Sequence, residues 1–185
     1  MADVTDNGLR AAVKALTDVV APSIDPTDPL AKEQLRLVVD YLQFVRSRLD
    51  FLHDRARFEM NHHLATARAL QAMSAPFSSE NRDLLDATVS AGLQAQASVE
   101  ASTVSVKEVS ASLAAAVREL VREAGSFAPE LRSPIERCVL MAADEIIRFE
   151  RSWYLPLGFD PAPGDVAPLA SLLANALPGA AERAC

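Results

Sequence analysis

The sequence predicts an all-α protein, and three observations carry that expectation. Residues 30–74 run without a proline or a glycine. Within them apolar residues recur at steps of three and four: Leu35, Val38, Leu42, Val45, Leu49, Leu52, Ala56. That spacing marks a helix with one buried seam. Half of the chain is hydrophobic but only 5 % is aromatic, so the apolar excess is mostly alanine, leucine and valine, the mix used where helices pack closely. No stretch alternates with the period of a strand.

A short amphipathic helix is expected over 7–20, with Leu9, Ala12, Val13, Leu16, Val19 and Val20 on one face. The segment Ala21 to Pro29 ends it and begins the next. Asp28 is placed to cap the next helix, and Pro29 falls at the first helical position, where its missing N–H is harmless. The long helix 30–74 follows, and a stripe of Leu37, Tyr41, Phe44, Phe51, Phe58, His62 and Ala65 lies beside its seam. Continued in register, the seam turns polar at Glu59, His63 and Thr66 and returns to Leu70 and Met73. Any kink in so long a rod is expected at that polar stretch.

Ser74 to Ser79 reads as a turn, with Ser79 capping a second rod that runs to Ala124 and stops at Gly125. Its seam is Leu85, Thr88, Gly92, Ala95, Val99, Ser102, Val106, Val109, Leu113, Ala116 and Leu120. Two long helices joined by a short turn fold back as an antiparallel hairpin over 30–124. Pairing outward from Pro76 sets Glu59 and His63 opposite Ala91 to Ala95, where Gly92 and Ala95 leave room for them. Ser133-Pro134 opens a fourth helix, 134–155, with Ile135, Val139, Ala142, Ile146, Phe149 and Trp153 on one face. Arg132 with Glu136, and Asp144 with Arg148, are spaced as surface ion pairs. A proline-rich tail lies across the bundle, held by Phe159. A last helix covers 166–177 and ends at Pro178-Gly179. The expectation is one domain over 1–185: a long antiparallel helical hairpin within a four-helix bundle, with short helices at both ends.

The net charge of −7 and the scattered basic residues disfavour nucleic acid, which rewards a clustered positive face. Arg46, Arg48, Arg55 and Arg57 are interleaved with Asp40, Asp50 and Asp54, which reads as a solvated helix surface. The two cysteines, Cys138 and Cys185, form neither a disulfide framework nor a zinc spacing. Cys138 reads as a small buried side chain, and Cys185 lacks the three following residues that prenylation needs. The acidic start has no apolar core and reads as no signal peptide. No apolar run is long enough to cross a bilayer, so a cytoplasmic protein is expected.

Glu59-Met60-Asn61-His62 carries the sharpest chemical suggestion. Glu-x-x-His on a bundle helix turns both ligands inward and is half of a di-iron carboxylate signature. Glu100 and Glu145 stand in the right order to extend it, but the residue three after Glu145 is Arg148, which repels a metal. Glu59 with His63, one helical turn apart, could instead share a single divalent ion with a third ligand. The plainer reading is a polar layer in the seam: His63 donates to Glu59, with Thr66 and Gln94 or Gln96 nearby, fixing helix register. With three histidines, His53-Asp54 lacks the ligands of a phosphohydrolase site. Neither Gly-x-Ser-x-Gly nor a Gly-rich loop after a strand is present, so hydrolase and dinucleotide chemistry have no foothold. The stripe Tyr41, Phe44, Phe51 and Phe58 reads as core rather than as a pocket lining, and Trp153-Tyr154 as a packing anchor.

These features predict a non-enzymatic interaction or accessory protein that forms a homodimer through its long helices. No cofactor is expected under that reading. The alternative is a bundle that holds a divalent metal ion or a small hydrophobic ligand near Glu59, His62 and His63, with Glu100 or Glu145.

Overall fold

The computed structural model describes residues 4–175, which form helices and connecting turns with no strand among them. The last two residues of the expected helix 166–177, the stop at Pro178-Gly179, and Cys185 lie outside the described residues. Among the described residues no helix is long and apolar enough to cross a membrane. The chain divides into two compact units: 53–153 with the segment from 164 onward, and the N-terminal residues to 52 with 154–163.

In the N-terminal unit, α1 (Val4–Ala15) continues through a π-helical turn, Leu16–Val20, into α2 (Ala21–Ser23). The helix expected over 7–20 therefore starts earlier and ends later. Pro22 explains the π turn. A proline ring inside a helix collides with the carbonyl four residues back, here Asp18. The ladder slips to the wider bonding, and the N–H of Ala21 donates to the carbonyl of Leu16. The slip shifts the phase of the helix face, leaving Val19 65 % exposed although periodicity placed it in the packed stripe.

Asp28 caps α3 (Pro29–Arg48) as expected, its carboxylate accepting from the N–H of Ala31 at 2.9 Å. α3 runs antiparallel to α1, and Arg46 donates to Asp6 across the pair at 2.5 Å. Leu9 and Val13 on α1, Leu16 in the π turn, and Leu35, Val39 and Leu42 on α3 are all half-buried. Phe44 is buried and stacks on Tyr154, ring centroids 5.6 Å apart. A 3₁₀ turn, Leu155–Leu157, closes at Gly158, whose φ of 76° is the left-handed conformation that favours glycine. Phe159 does not anchor the tail; it is 75 % exposed.

The bundle unit holds α4 (Leu52–Gln71), α5 (Ser79–Ala97), α6 (Thr103–Ala124) and α7 (Pro129–Tyr154), followed by the short α8 (Leu169–Asn175). Gln71 with Asp86 (2.6 Å) and Gln96 with Asn61 (3.2 Å) set α5 antiparallel to α4. His53 with Thr103 and His63 with Ser110, both at 2.9 Å, set α6 parallel to α4. Phe58 against Phe149, centroids 3.9 Å apart, and His62 with Glu145 set α7 antiparallel to α4. The four helices thus alternate up and down, and the four-helix, all-α expectation holds. Residues 59–63 lie opposite about 94–98, three residues beyond the expected match.

Neither rod is a single α-helix. The first is interrupted by the 3₁₀ turn Leu49–Phe51, ahead of the polar stretch where a kink was expected. The second stops at Ala97 and restarts at Thr103. Ser102 caps α6, its hydroxyl accepting from the N–H of Ser105, and the Arg57 guanidinium donates to the carbonyls of Gln96 (2.9 Å) and Ser98 (3.1 Å) at the end of α5. Val99, placed in the seam by periodicity, sits in this turn and is 92 % exposed.

Other boundaries move less. Ser78 rather than Ser79 caps α5, and Glu123 braces that end, accepting from the Ser78 N–H and from the Asn81 amide. α6 does end at Gly125, but in right-handed conformation, so no left-handed cap is used. α7 begins at Pro129, five residues before Pro134, which lies inside it. Its expected face is right: Ile135, Phe149 and Trp153 are buried, and Val139, Ala142 and Ile146 half-buried. The Arg132–Glu136 and Asp144–Arg148 pairs form as expected, at 3.2 and 2.6 Å.

The seam of α4 is Ala56, Met60, Leu64, Ala67 and Leu70, each at most 2 % exposed. It remains apolar throughout; Glu59 and His63 lie on its edge. The space at Gly92 serves this seam rather than the polar groups. A Cβ there would lie 2.8 Å from a Leu64 methyl and 3.1 Å from one of Leu113. Leu64→Ala and Met60→Ala are each expected to lower unfolding stability by about 2–5 kcal/mol. Urea denaturation measures this, and a loss below about 1 kcal/mol would show that the seam lies elsewhere.

Candidate functional site: the polar edge of the α4 seam

Besides His53 and Arg57, α4 carries Arg55, Glu59, His62 and His63 along the edge of its seam. Arg55 is the best connected. Its guanidinium donates to Glu59 one turn along at 2.7 Å and to Glu150 of α7 at 2.8 Å. It also lies over the Trp153 ring, 4.6 Å from the centroid, a favourable cation–π position. Only 22 % of its side chain is exposed. The solvated-surface reading of this arginine run is therefore corrected for Arg55, and for Arg57, which caps α5. Trp153 is an anchor, as expected.

Burial pushes the Glu150 carboxyl above its ordinary range, with Arg55 opposing and Glu59 reinforcing that shift. The Arg55 guanidinium, shared by two carboxylates, ties α4 to α7 through Glu150.

His62 is buried and its Nδ1 lies 3.3 Å from a Glu145 oxygen. The Glu145 side chain remains largely exposed. Thr66, buried one turn along, donates its hydroxyl back to the His62 carbonyl. His63 turns toward α6, where its Nδ1 meets the Ser110 hydroxyl at 2.9 Å. Its partner is thus Ser110, not Glu59. The His62 and His63 rings sit edge to face, centroids 5.6 Å apart.

Burial lowers the His63 pKa below its ordinary value; the neighbouring His62 and, less strongly, Arg118 act the same way, while Glu59 and the Ser110 contact oppose them. His63 is therefore neutral at pH 7. A serine hydroxyl on an imidazole is also the arrangement of an activated nucleophile. Here Ser110 is only 6 % exposed in the middle of α6, without the access an acyl group requires.

Of the five residues singled out for metal binding, the structure brings His62 and Glu145 together and places His63 beside them. Glu59 is turned to Arg55. Glu100 is exposed in the turn between α5 and α6, at the Arg57 level of the bundle, because the second rod breaks there. Among the described residues no group of three or more histidine, cysteine, aspartate or glutamate side chains is placed to hold a metal ion. The aromatic stripe is consumed by separate contacts. Tyr41 is 57 % exposed, Phe44 packs on Tyr154, and Phe58 packs on Phe149.

Sequence reasoning missed Arg55, Ser110 and Glu150. The signal for Arg55 was its spacing of four from Glu59. Ser110 carried a weaker one, a small polar residue beside the α6 seam.

Two measurements check this arrangement. The unfolded chain binds more protons than the folded one between the lowered His63 value and about pH 6.5, so stability falls as pH drops through that window. Burial of Glu150 acts in the opposite sense, its contribution being lost as pH rises from the carboxylate range. The urea midpoint is expected to fall between pH 7.5 and 5.5, and to fall less in His63→Gln; equal slopes would remove His63 from the account. Arg55→Met is expected to destabilise by about 2–3 kcal/mol, because Glu150 is left half-buried and unpaired. Glu59→Gln, which leaves Arg55 its second partner, is expected to destabilise less, and the reverse order in urea denaturation would contradict the geometry. No family model, curated protein or solved structure matches this chain.

Proposed function

We propose that this protein is a non-enzymatic helical interaction protein that self-associates through its N-terminal unit. One observation carries the reading: among the described residues of that unit, Phe44 alone is buried. The unit is a two-helix layer, and a layer must cover its apolar stripe against another to form a core. Leu9, Val13, Leu16, Leu35, Val39 and Leu42 remain half-buried in it. Val38 and Tyr41 on α3 are 48 % and 57 % exposed.

A second copy is the occupant that fits. Two such layers make a four-helix arrangement of the kind already present in the bundle unit, and one apolar patch meeting itself suits a two-fold interface. The nearby charges do not call for a partner of opposite sign. Asp6 is paired with Arg10 and Arg46, and Arg36 with Glu33 and Asp40. In the bundle unit the side chains of the polar edge are engaged in bracing helices, which supports an accessory rather than a catalytic role.

Light scattering on the full chain at low micromolar concentration is expected to give twice the chain mass. Val38→Lys combined with Tyr41→Lys is expected to give the single mass with unchanged far-ultraviolet circular dichroism, since both side chains are exposed. A single mass for the unaltered chain, or an undiminished dimer in the double variant, overturns the proposal.

A further inference from the structure

A feature of the N-terminal unit lies apart from the polar edge and shares only Leu35 and Val39 with the stripe proposed for self-association. Between the helical run Leu16–Ser23 and α3 lies an open groove of about 390 Å³. Ala21, Ile24, Leu35 and Val39 supply its hydrocarbon lining, with Thr17, Lys32 and Arg36 around it. The π turn forced by Pro22 runs along one side, and such turns concentrate at functional sites because they displace a helix from its regular face.

The polar groups at the groove decide what it takes. Thr17 donates its hydroxyl to the carbonyl of Val13 at 3.0 Å. Lys32 donates to the carbonyl of Pro26 at 2.8 Å. Arg36 is held between Glu33 at 2.6 Å and Asp40 at 2.7 Å. Both lining cations are thus already engaged. An anion would have to draw Lys32 from its carbonyl or Arg36 from its carboxylates. A cation would meet Lys32 and Arg36. A charged head would lose hydration without a free partner, which is unfavourable, whereas a neutral hydrocarbon would gain by leaving water.

Volume sets the size. A dry cavity of about 150 Å³ holds benzene, and by that scale the groove matches roughly ten to fifteen carbons, at the small end of ordinary ligand pockets. We propose that the groove between α2 and α3 is a binding site for an uncharged apolar molecule of that size. The site depends on the pairing of the N-terminal run with α3 within one chain and does not need the second copy.

Phenylnaphthylamine, a neutral probe whose fluorescence rises in apolar surroundings, tests this on the full chain. Saturable binding of one probe per chain is expected, with a dissociation constant on the order of 10 µM. Decanol is expected to displace it, with decanoate and decylammonium weaker by about tenfold or more because of their charged heads. Ala21→Trp, which fills the groove from an exposed helical position, and Leu35→Gln, which makes the lining polar, are each expected to weaken binding about tenfold. Far-ultraviolet circular dichroism checks that both variants keep their helices.

The Val38→Lys, Tyr41→Lys chain is expected to bind the probe normally, whatever its mass by light scattering. Absent or unsaturable binding overturns the proposal, as does unchanged binding in both groove variants. Decanoate or decylammonium competing as well as decanol removes the charge argument. Loss of binding in the double-lysine chain with its helices intact would place the site between copies rather than within one. A failure of self-association with probe binding retained leaves this site standing by itself.

Discussion

The bundle unit depends on Leu64 occupying the space that Gly92 leaves. α5 approaches α4 closely there because no Cβ intervenes, and Leu113 of α6 reaches the same point. Three helices therefore meet on one buried leucine, and close packing of this kind makes a core sensitive to single methylenes. The opposite side of α4 is fixed by stacking of Phe58 on Phe149. With the apolar seam held on one side and the aromatic pair on the other, the intermediate edge presents Glu59, His62 and His63 to α6 and α7. The polar contacts follow from that placement. They match groups which the seam has already brought near, and their value lies in leaving few buried polar atoms unmatched.

Helix class and most buried faces were legible because periodicity reports burial directly. The face of α7 and the cap at Asp28 are cases in point. The interruptions were hidden because neither carries a glycine or proline. At Leu49–Phe51 the backbone tightens to 3₁₀ bonding, which advances the side chains further per residue than α-helix does. Past that turn both the expected and the packed seam pass through Ala56 and Leu70. Between them the sequence reading steps to Glu59, His63 and Thr66, whereas the packed residues are Met60, Leu64 and Ala67. Steps of three and four can be taken in either order, and that order decided whether the seam read as polar. At 98–102 the stop is made by tertiary contacts, Arg57 on the carbonyls of Gln96 and Ser98, which no local pattern announces.

The candidate site was legible as a location and less so as a set of partners. His62, His63 and Glu145 do lie together, with His62 buried and the Glu145 side chain largely exposed. Which atoms meet depended on the register between α4 and α6, and two helices joined through an unrecognised break cannot be registered by counting. Ser110 therefore replaced Glu59 as the partner of His63. Arg55 was hidden by composition, because an arginine amid alternating charges resembles a solvated one until Glu150 and Trp153 arrive from α7, about a hundred residues along the chain.

The two units differ in how completely they solve one packing problem. In the bundle unit α4, α5 and α6 each pack against more than one other helix, and Met60, Leu70, Leu113 and Phe149 are sealed from water. In the N-terminal unit α1 and α3 share one contact line. Ordering each backbone residue costs about 1–2 kcal/mol, and side chains that stay half in water recover only part of the transfer free energy that offsets it. Phe44, stacked on Tyr154, gives the pair one fixed point but not a core. Covering the remaining stripe would convert several half-buried leucines and valines into buried ones without adding a helix to either chain. That asymmetry, a finished core in one unit and an open layer in the other, is the physical ground for proposing self-association through α1 and α3 rather than through α4 to α7.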